Sequence, residues 1–220
     1  MRKLFRTCVI LFIAALISGL GLTTWKMFEF RERKNLFVEP DKWQAFCAHE
    51  KIDVVLFGDS QVALWPLSFF GAAPVAACGV SGSLATKSVE RFTRDVLPLA
   101  PRRVIIEIGT NDIGHGVPDA DILRAIETMI ATAKANNIKP AVCSVLPVTG
   151  EFIKNHPADK ISAINSGISL LCERIGVEFI DLHALLVDKN GMLKKSHTSD
   201  GLHLNLKGYV DVSKLIISLL

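Results

Sequence analysis

Ser60 lies in Phe57-Gly58-Asp59-Ser60, directly after the apolar run Val54-Val55-Leu56-Phe57. A hydroxyl at the end of a buried strand sits where open α/β sheets bind their ligands, and the preceding glycine lets the backbone turn sharply enough to present it. Gly-Asp-Ser is also ordinary turn chemistry, so a chemical role for Ser60 needs a base, an acid to orient that base, and donors for a developing oxyanion. Candidates for each fall at comparable places. Gly79 follows Val75-Ala76-Ala77-Cys78, Asn111 lies in Gly109-Thr110-Asn111-Asp112 after a run ending at Ile108, and Asp200-Gly201-Leu202-His203 precedes a terminal amphipathic stretch. Imidazole is the side chain that ordinarily exchanges protons near neutrality, so His203 can accept the Ser60 proton. Asp200, three residues earlier, can reach the same side of one turn, fix the imidazole tautomer and stabilise the imidazolium. The backbone N–H groups of Ser60 and Gly79 and the Asn111 amide would supply three oxyanion donors. Each residue also has a plainer reading: a glycine turn, an Asx turn, a helix cap, a surface histidine. Their joint placement at one sheet edge favours the chemical one.

That edge has to be built by the elements between these residues. Short apolar runs predict strands at Val54 to Phe57, Val75 to Cys78, Arg103 to Ile108, Pro140 to Val145 and Glu178 to Leu182, and amphipathic spacing predicts helices over Leu84 to Leu97, Asp119 to Asn136, Asp159 to Ile175 and Leu206 to Leu219. Continuous apolar strands alternating with helices imply a parallel sheet covered on both faces. Asn205 is the expected N-cap of the last helix, with Leu204 and Tyr209 spaced as a hydrophobic staple.

The chain of 220 residues has 25 basic and 22 acidic residues, and the excess sits in Arg2, Lys3 and Arg6. With the rest balanced and few aromatics, no nucleic-acid partner is expected. Thr7 to Trp25 carries no charge and, as a helix, would span about 30 Å, the thickness of a hydrocarbon core. We therefore expect a membrane segment at residues 1–25, a juxtamembrane linker with a short helix at 26–50, and one catalytic-sized domain at 51–220. A signal anchor would place that domain on the exported side, periplasmic or extracellular; the alternative is secretion after signal cleavage. Five isolated cysteines, Cys8, Cys47, Cys78, Cys143 and Cys172, offer no C-x-x-C pair and read as buried thiols, with one disulfide among the last four left open.

The blocks around Ser60, Gly79, Asn111 and His203 occur in the order that names the SGNH, or GDSL-like, hydrolases, and the chain resembles that family from about Asp53 to Tyr209. The resemblance implies a three-layer α/β/α, flavodoxin-like fold with a central parallel five-stranded sheet, preceded here by the N-terminal hydrophobic helix. It also implies metal-free serine chemistry without a cofactor: an esterase, thioesterase or acyl transferase. Two departures stand out. Gln61 follows Ser60 where an aliphatic residue is usual, and Ala77-Cys78 precede Gly79 where Asn-Arg is frequent.

The expected activity is cleavage of acyl esters, acetyl among them, of a carbohydrate, lipid or small molecule through an acyl-Ser60 intermediate. The alternatives are O-acetyl transfer at the same site and a non-catalytic carbohydrate- or lipid-binding module. Asp181-Leu182-His183 has the D-x-H form of metallophosphoesterases but comes late in the chain with no G-N-H after it, so a strand-end Asp and a partly buried His are expected. His115 is read as a loop histidine, and the loop from Pro147 to Pro157, with Phe152, Lys154 and His156, as a wall of the site.

Overall fold

A computed structural model of the protein describes residues 51–220. The expected apolar helix at Thr7 to Trp25, the linker and the short helix around Lys42 to His49 lie outside the described residues. Among the described residues no helix is long and apolar enough to cross a membrane.

Five strands, β1 (Val54–Gly58), β2 (Val75–Gly79), β3 (Arg103–Glu107), β4 (Lys139–Cys143) and β5 (Glu178–Ile180), pair in parallel in the order β2-β1-β3-β4-β5. Every residue of β1 and β3 is buried, as strands covered on both faces require. Side chains alternate across the sheet. On one face Val54, Leu56, Ile105, Ala141, Cys143 and Ile180 join the core of α6 (Leu182–Leu186) and α7 (Leu206–Ile217), whose Tyr209, Val212 and Ile216 are buried. On the other, Phe57 meets Phe92 edge to face at 5.0 Å. There α2 (Val89–Val96), α4 (Asp119–Ala135) and α5 (Ala158–Ile175) bury Phe92, Ile126, Met129 and Ile164. The result is the expected α/β/α sandwich.

Several boundaries differ from the periodicity reading, each for a local polar reason. The helix expected from Leu84 begins only at Val89. The Asp112 carboxylate takes the Ala85 and Thr86 N–H groups, at 2.6 and 3.3 Å, and holds Ala85–Lys87 as a 3₁₀ turn. Strand β4 stops at Cys143 because the Asn165 amide satisfies both the N–H and the carbonyl of Val145, at 2.7 and 2.9 Å. Strand β5 stops at Ile180, since Asp181 turns the chain into α6 by accepting the Ala184 N–H at 3.0 Å. Asn205 caps α7 through the Gly208 N–H at 3.1 Å. Two short helices, α1 (Ser60–Ala63) and α3 (Thr110–Gly114), start directly after β1 and β3. They carry too few residues for periodicity to reveal them.

The strand order changes direction between β1 and β3, and in such sheets the crevice beyond the carboxyl ends of those two strands is the binding position. Ser60 and Asn111 both lie there.

Asn165→Ala leaves the fully buried Val145 without its side-chain partners. We expect unfolding free energy to fall by about 1–3 kcal/mol, seen as a lower urea midpoint at unchanged slope.

Candidate active site

Ser60 is the first residue of α1. Asp59, its N-cap, accepts the Gln61 N–H on Oδ1 at 3.0 Å, and the Ser60 N–H, in the first turn, has no intrahelical acceptor. The turn is crowded against two strands. A Cβ on Gly58 would collide with the Glu107 carbonyl oxygen, and one on Gly79 with the backbone N of Ala63. Glycine at both positions is therefore a demand of close backbone approach. Arg91 fastens the same strand ends from α2, donating through Nη1 to the Cys78 carbonyl at 2.9 Å and through Nη2 to the Gly58 carbonyl at 2.7 Å. Its guanidinium lies 4.1 Å from the centre of the Phe57 ring.

His203 arrives from the loop before α7 and places Nε2 3.0 Å from Ser60 Oγ, with Nδ1 2.7 Å from Asp200 Oδ2. The tautomer that satisfies both contacts carries its proton on Nδ1 and offers Nε2 as acceptor to the serine hydroxyl. The other Asp200 oxygen, Oδ1, accepts the N–H groups of Leu202 at 2.9 Å and His203 at 2.8 Å and the Thr198 hydroxyl at 3.3 Å. Burial opposes the Asp200 charge. The hydrogen bonds from the His203 ring and the two N–H groups outweigh it and bring the carboxyl down to about 2. Asp200 thus stays ionised beside the imidazole at any ordinary pH.

The three expected oxyanion donors lie at the carboxyl ends of β1, β2 and β3. Asn111 Nδ2 donates to Asp59 Oδ2 at 3.2 Å and to the Ser83 carbonyl at 3.1 Å. Both amide hydrogens are engaged, so binding an oxyanion requires one to be redirected, a rearrangement that catalytic groups commonly complete only when substrate is bound.

Two buried acids lie below the site. Burial raises the Asp59 carboxyl to about 6, against the lowering effect of the Gln61 N–H. Glu107, at the end of β3, is fully buried with neither carboxyl oxygen hydrogen-bonded, and burial followed by the Asp59 charge pushes it well above the usual carboxylate range. Glu107 stood in the sequence as a polar residue in an otherwise apolar strand. Nothing in its spacing revealed that its carboxyl would be buried without a hydrogen-bond partner.

Other sequence candidates have different duties. Asp181 is spent as a helix cap, and the His183 N–H donates to Ser144 Oγ at 2.7 Å. Among the described residues no group of three or more His, Cys, Asp or Glu is arranged to hold a metal ion. His115 is exposed with Nδ1 2.8 Å from the Asn111 carbonyl oxygen. His156 is buried against Gly114, its Nδ1 3.1 Å from the Phe152 carbonyl oxygen. The loop carrying Phe152 and His156 meets the Asp200–His203 loop where the Thr149 N–H donates to the Gly201 carbonyl at 2.8 Å. Cys143 and Cys172 are buried thiols, Cys172 raised by burial to about 11. Cys8 and Cys47 lie outside the described residues.

Residues 57–210 match the model of the GDSL-like lipase/acylhydrolase family. The chain belongs to that family. It is therefore an ester-hydrolysing enzyme. This GDSL-like acylhydrolase is similar to a GDSL-like lipase from Bacteroides thetaiotaomicron, at 27% identity and a TM-score of 0.74, over 82% of this chain and 96% of that one. It shares its fold with an acetyl xylan esterase at 21% identity and a TM-score of 0.64, over 77% of this chain and all of that one. A curated relative, the N-acylneuraminate cytidylyltransferase of Escherichia coli O18:K1:H7, is 30% identical over 164 residues, which are 71% of this chain. The match spans only 38% of that relative's length.

The buried Asp59 sets a pH signature. Its folded carboxyl holds the proton more tightly than an unfolded aspartate titrating near 3.8, so its contribution favours the fold below about pH 4 and is lost as pH rises through about 6. In urea unfolding at pH 4 and pH 7, the stability of the wild type minus that of Asp59→Asn should decrease from the lower to the higher pH.

Proposed function

We propose that the protein is a membrane-anchored serine esterase with Ser60 as nucleophile, His203 as general base and acid, and Asp200 as the group that orients the imidazole. The observation that carries this reading is the unbroken contact chain from Ser60 Oγ through His203 to Asp200, at 3.0 and 2.7 Å. In the acylation step the Ser60 proton passes to His203 Nε2 as Oγ bonds the acyl carbon, and the C–O bond to the alcohol then breaks as the imidazolium returns the proton to the leaving oxygen. Water, deprotonated by the same imidazole, releases the acyl group and restores Ser60. The N–H groups of Ser60 and Gly79 and the Asn111 amide would hold the negative oxygen in both steps.

The Asp200 side chain is half exposed, and a site this open to solvent supports water over a second alcohol as acyl acceptor. Acylated carbohydrates come first among the substrates we propose. An acetyl xylan esterase and an N-acylneuraminate cytidylyltransferase, both named for sugar substrates, are among the proteins similar to this chain. We assign the uncharged stretch Thr7 to Trp25 as a single-pass anchor with the catalytic domain on the exported side. Washing membranes at alkaline pH should leave the full chain bound, while deletion of residues 1–25 should release it. Release of the full chain by the wash would refute the anchor.

Ser60→Ala should abolish hydrolysis of acetylated sugars and of p-nitrophenyl acetate, together with labelling by a fluorophosphonate. Turnover at the wild-type rate would exclude Ser60 as nucleophile. Asn111→Ala should lower kcat by about 10²–10³-fold if its amide holds the oxyanion, and an unchanged kcat would remove Asn111 from that role.

A further inference from the structure

Gln61, the residue beside the nucleophile, is 1% exposed, and all of its polar groups are engaged. Its N–H donates to Asp59 Oδ1 at 3.0 Å, and its carbonyl accepts the Tyr209 hydroxyl at 2.8 Å. Its side chain reaches across to the loop that carries the histidine. Nε2 donates to the Leu202 carbonyl at 2.8 Å, and Oε1 accepts the Leu204 N–H at 3.4 Å. These two backbone groups flank His203. The amide therefore grips the His203 segment as a neighbouring strand would, with one donor and one acceptor, across 141 to 143 positions of sequence. Asp200 orients the imidazole ring from within that loop, but every bond Asp200 makes is local to it. Among the described residues, the hydrogen bonds that join the backbone on either side of His203 to the Ser60 turn are those of Gln61.

We propose that Gln61 is a positioning residue that sets the distance between Ser60 Oγ and His203 Nε2 by holding the backbone on both sides of His203; this rests on the reading of Ser60 and His203 as nucleophile and base. The role requires a donor and an acceptor on one side chain of fixed length. A glutamine supplies both, whereas an aliphatic side chain at this position supplies neither.

The test uses the purified full chain, with p-nitrophenyl acetate as substrate and a fluorophosphonate as probe. Gln61→Met keeps the length and removes both bonds. It should lower kcat and the labelling rate together by about 10²-fold, the loss that a misplacement of about 1 Å produces, while KM changes less than about threefold. A folded Gln61→Met protein with kcat within twofold of wild type overturns the proposal.

Gln61→Glu gives a second readout should the methionine variant fail to fold. A protonated glutamic acid donates to the Leu202 carbonyl and accepts from Leu204, whereas the ionised form has no hydrogen for Leu202. The titratable groups around position 61 are Asp59 on its own turn, Asp200 and His203 on the facing loop, Tyr209 on α7 and Glu107 at the end of β3, with Arg91 below. All are shared with the wild type, so the ratio of variant to wild-type kcat isolates position 61. That ratio should fall as pH rises from about 5 to 9, and a ratio that stays flat overturns the proposal. Wild-type turnover in Ser60→Ala, measured in the same series, would instead overturn the nucleophile reading and this inference with it.

Discussion

The seating of α7 against the turn after β1 is the interaction on which the site depends. Ser60 and His203 are 143 positions apart, and closing so long a chain segment costs conformational entropy that local contacts cannot return. The closure is held by buried contacts a few ångströms from the chemistry. The Tyr209 hydroxyl donates to the Gln61 carbonyl and Trp65 Nε1 donates to Ser213 Oγ, each at 2.8 Å, with the Trp65 and Tyr209 rings 5.6 Å apart. Beneath them Val212 and Ile216 fill the sheet face, each buried side chain contributing about 1.5–3 kcal/mol. At the far end of α7 the Leu219 carbonyl accepts from Arg103 at 2.8 Å, and Arg103 also pairs with Glu178. The helix is thus tied down at both ends of the sheet. The loop before it has little freedom left.

A second consequence of that packing is electrostatic. Asp59 and Glu107 are carboxyl groups taken out of water beneath the candidate site. Burial raises the Asp59 carboxyl to about 6 and pushes Glu107 well above the usual carboxylate range, so it works against negative charge on both. The ionised Asp59 meanwhile draws the Asn111 amide toward itself. Asp59 thereby ties the Asn111 amide to the turn that carries Ser60. Asp200 behaves differently because half of its side chain is in water and several donors face it. Two aspartates of the same site are separated in their titration by burial, which raises Asp59, and by hydrogen bonds, which hold Asp200 low.

Much of this architecture was legible in the chain. Strands such as Val54–Gly58 are short apolar runs, and helices such as Asp119–Ala135 and Ala158–Ile175 repeat their apolar residues at helical spacing, because both patterns are imposed by burial on one or two faces. The boundaries that escaped are those set by a distant side chain. Asp112 delays α2, and Asn165 ends β4, through hydrogen bonds that link positions 20 to 27 residues apart. Gln61 was visible only as a departure from an aliphatic position. Its partners at 202 and 204 could not be inferred from anything near it.

The sequence by itself determined which groups are present and at which strand ends they emerge. Residue type, strand pattern and the order of four separated blocks depend only on local chemistry and spacing, and they mark Ser60, Gly79, Asn111, Asp200 and His203 as candidates. The tertiary structure decided the distances, the burial and the engagement of each hydrogen. Whether Ser60 and His203 touch, whether the Glu107 carboxyl is buried without a hydrogen-bond partner, and whether the Asn111 amide is free or engaged depend on which surfaces meet when the sheet folds. Electrostatics and hydrogen bonding fall off within a few ångströms, so such properties are decided by neighbours in space rather than along the chain.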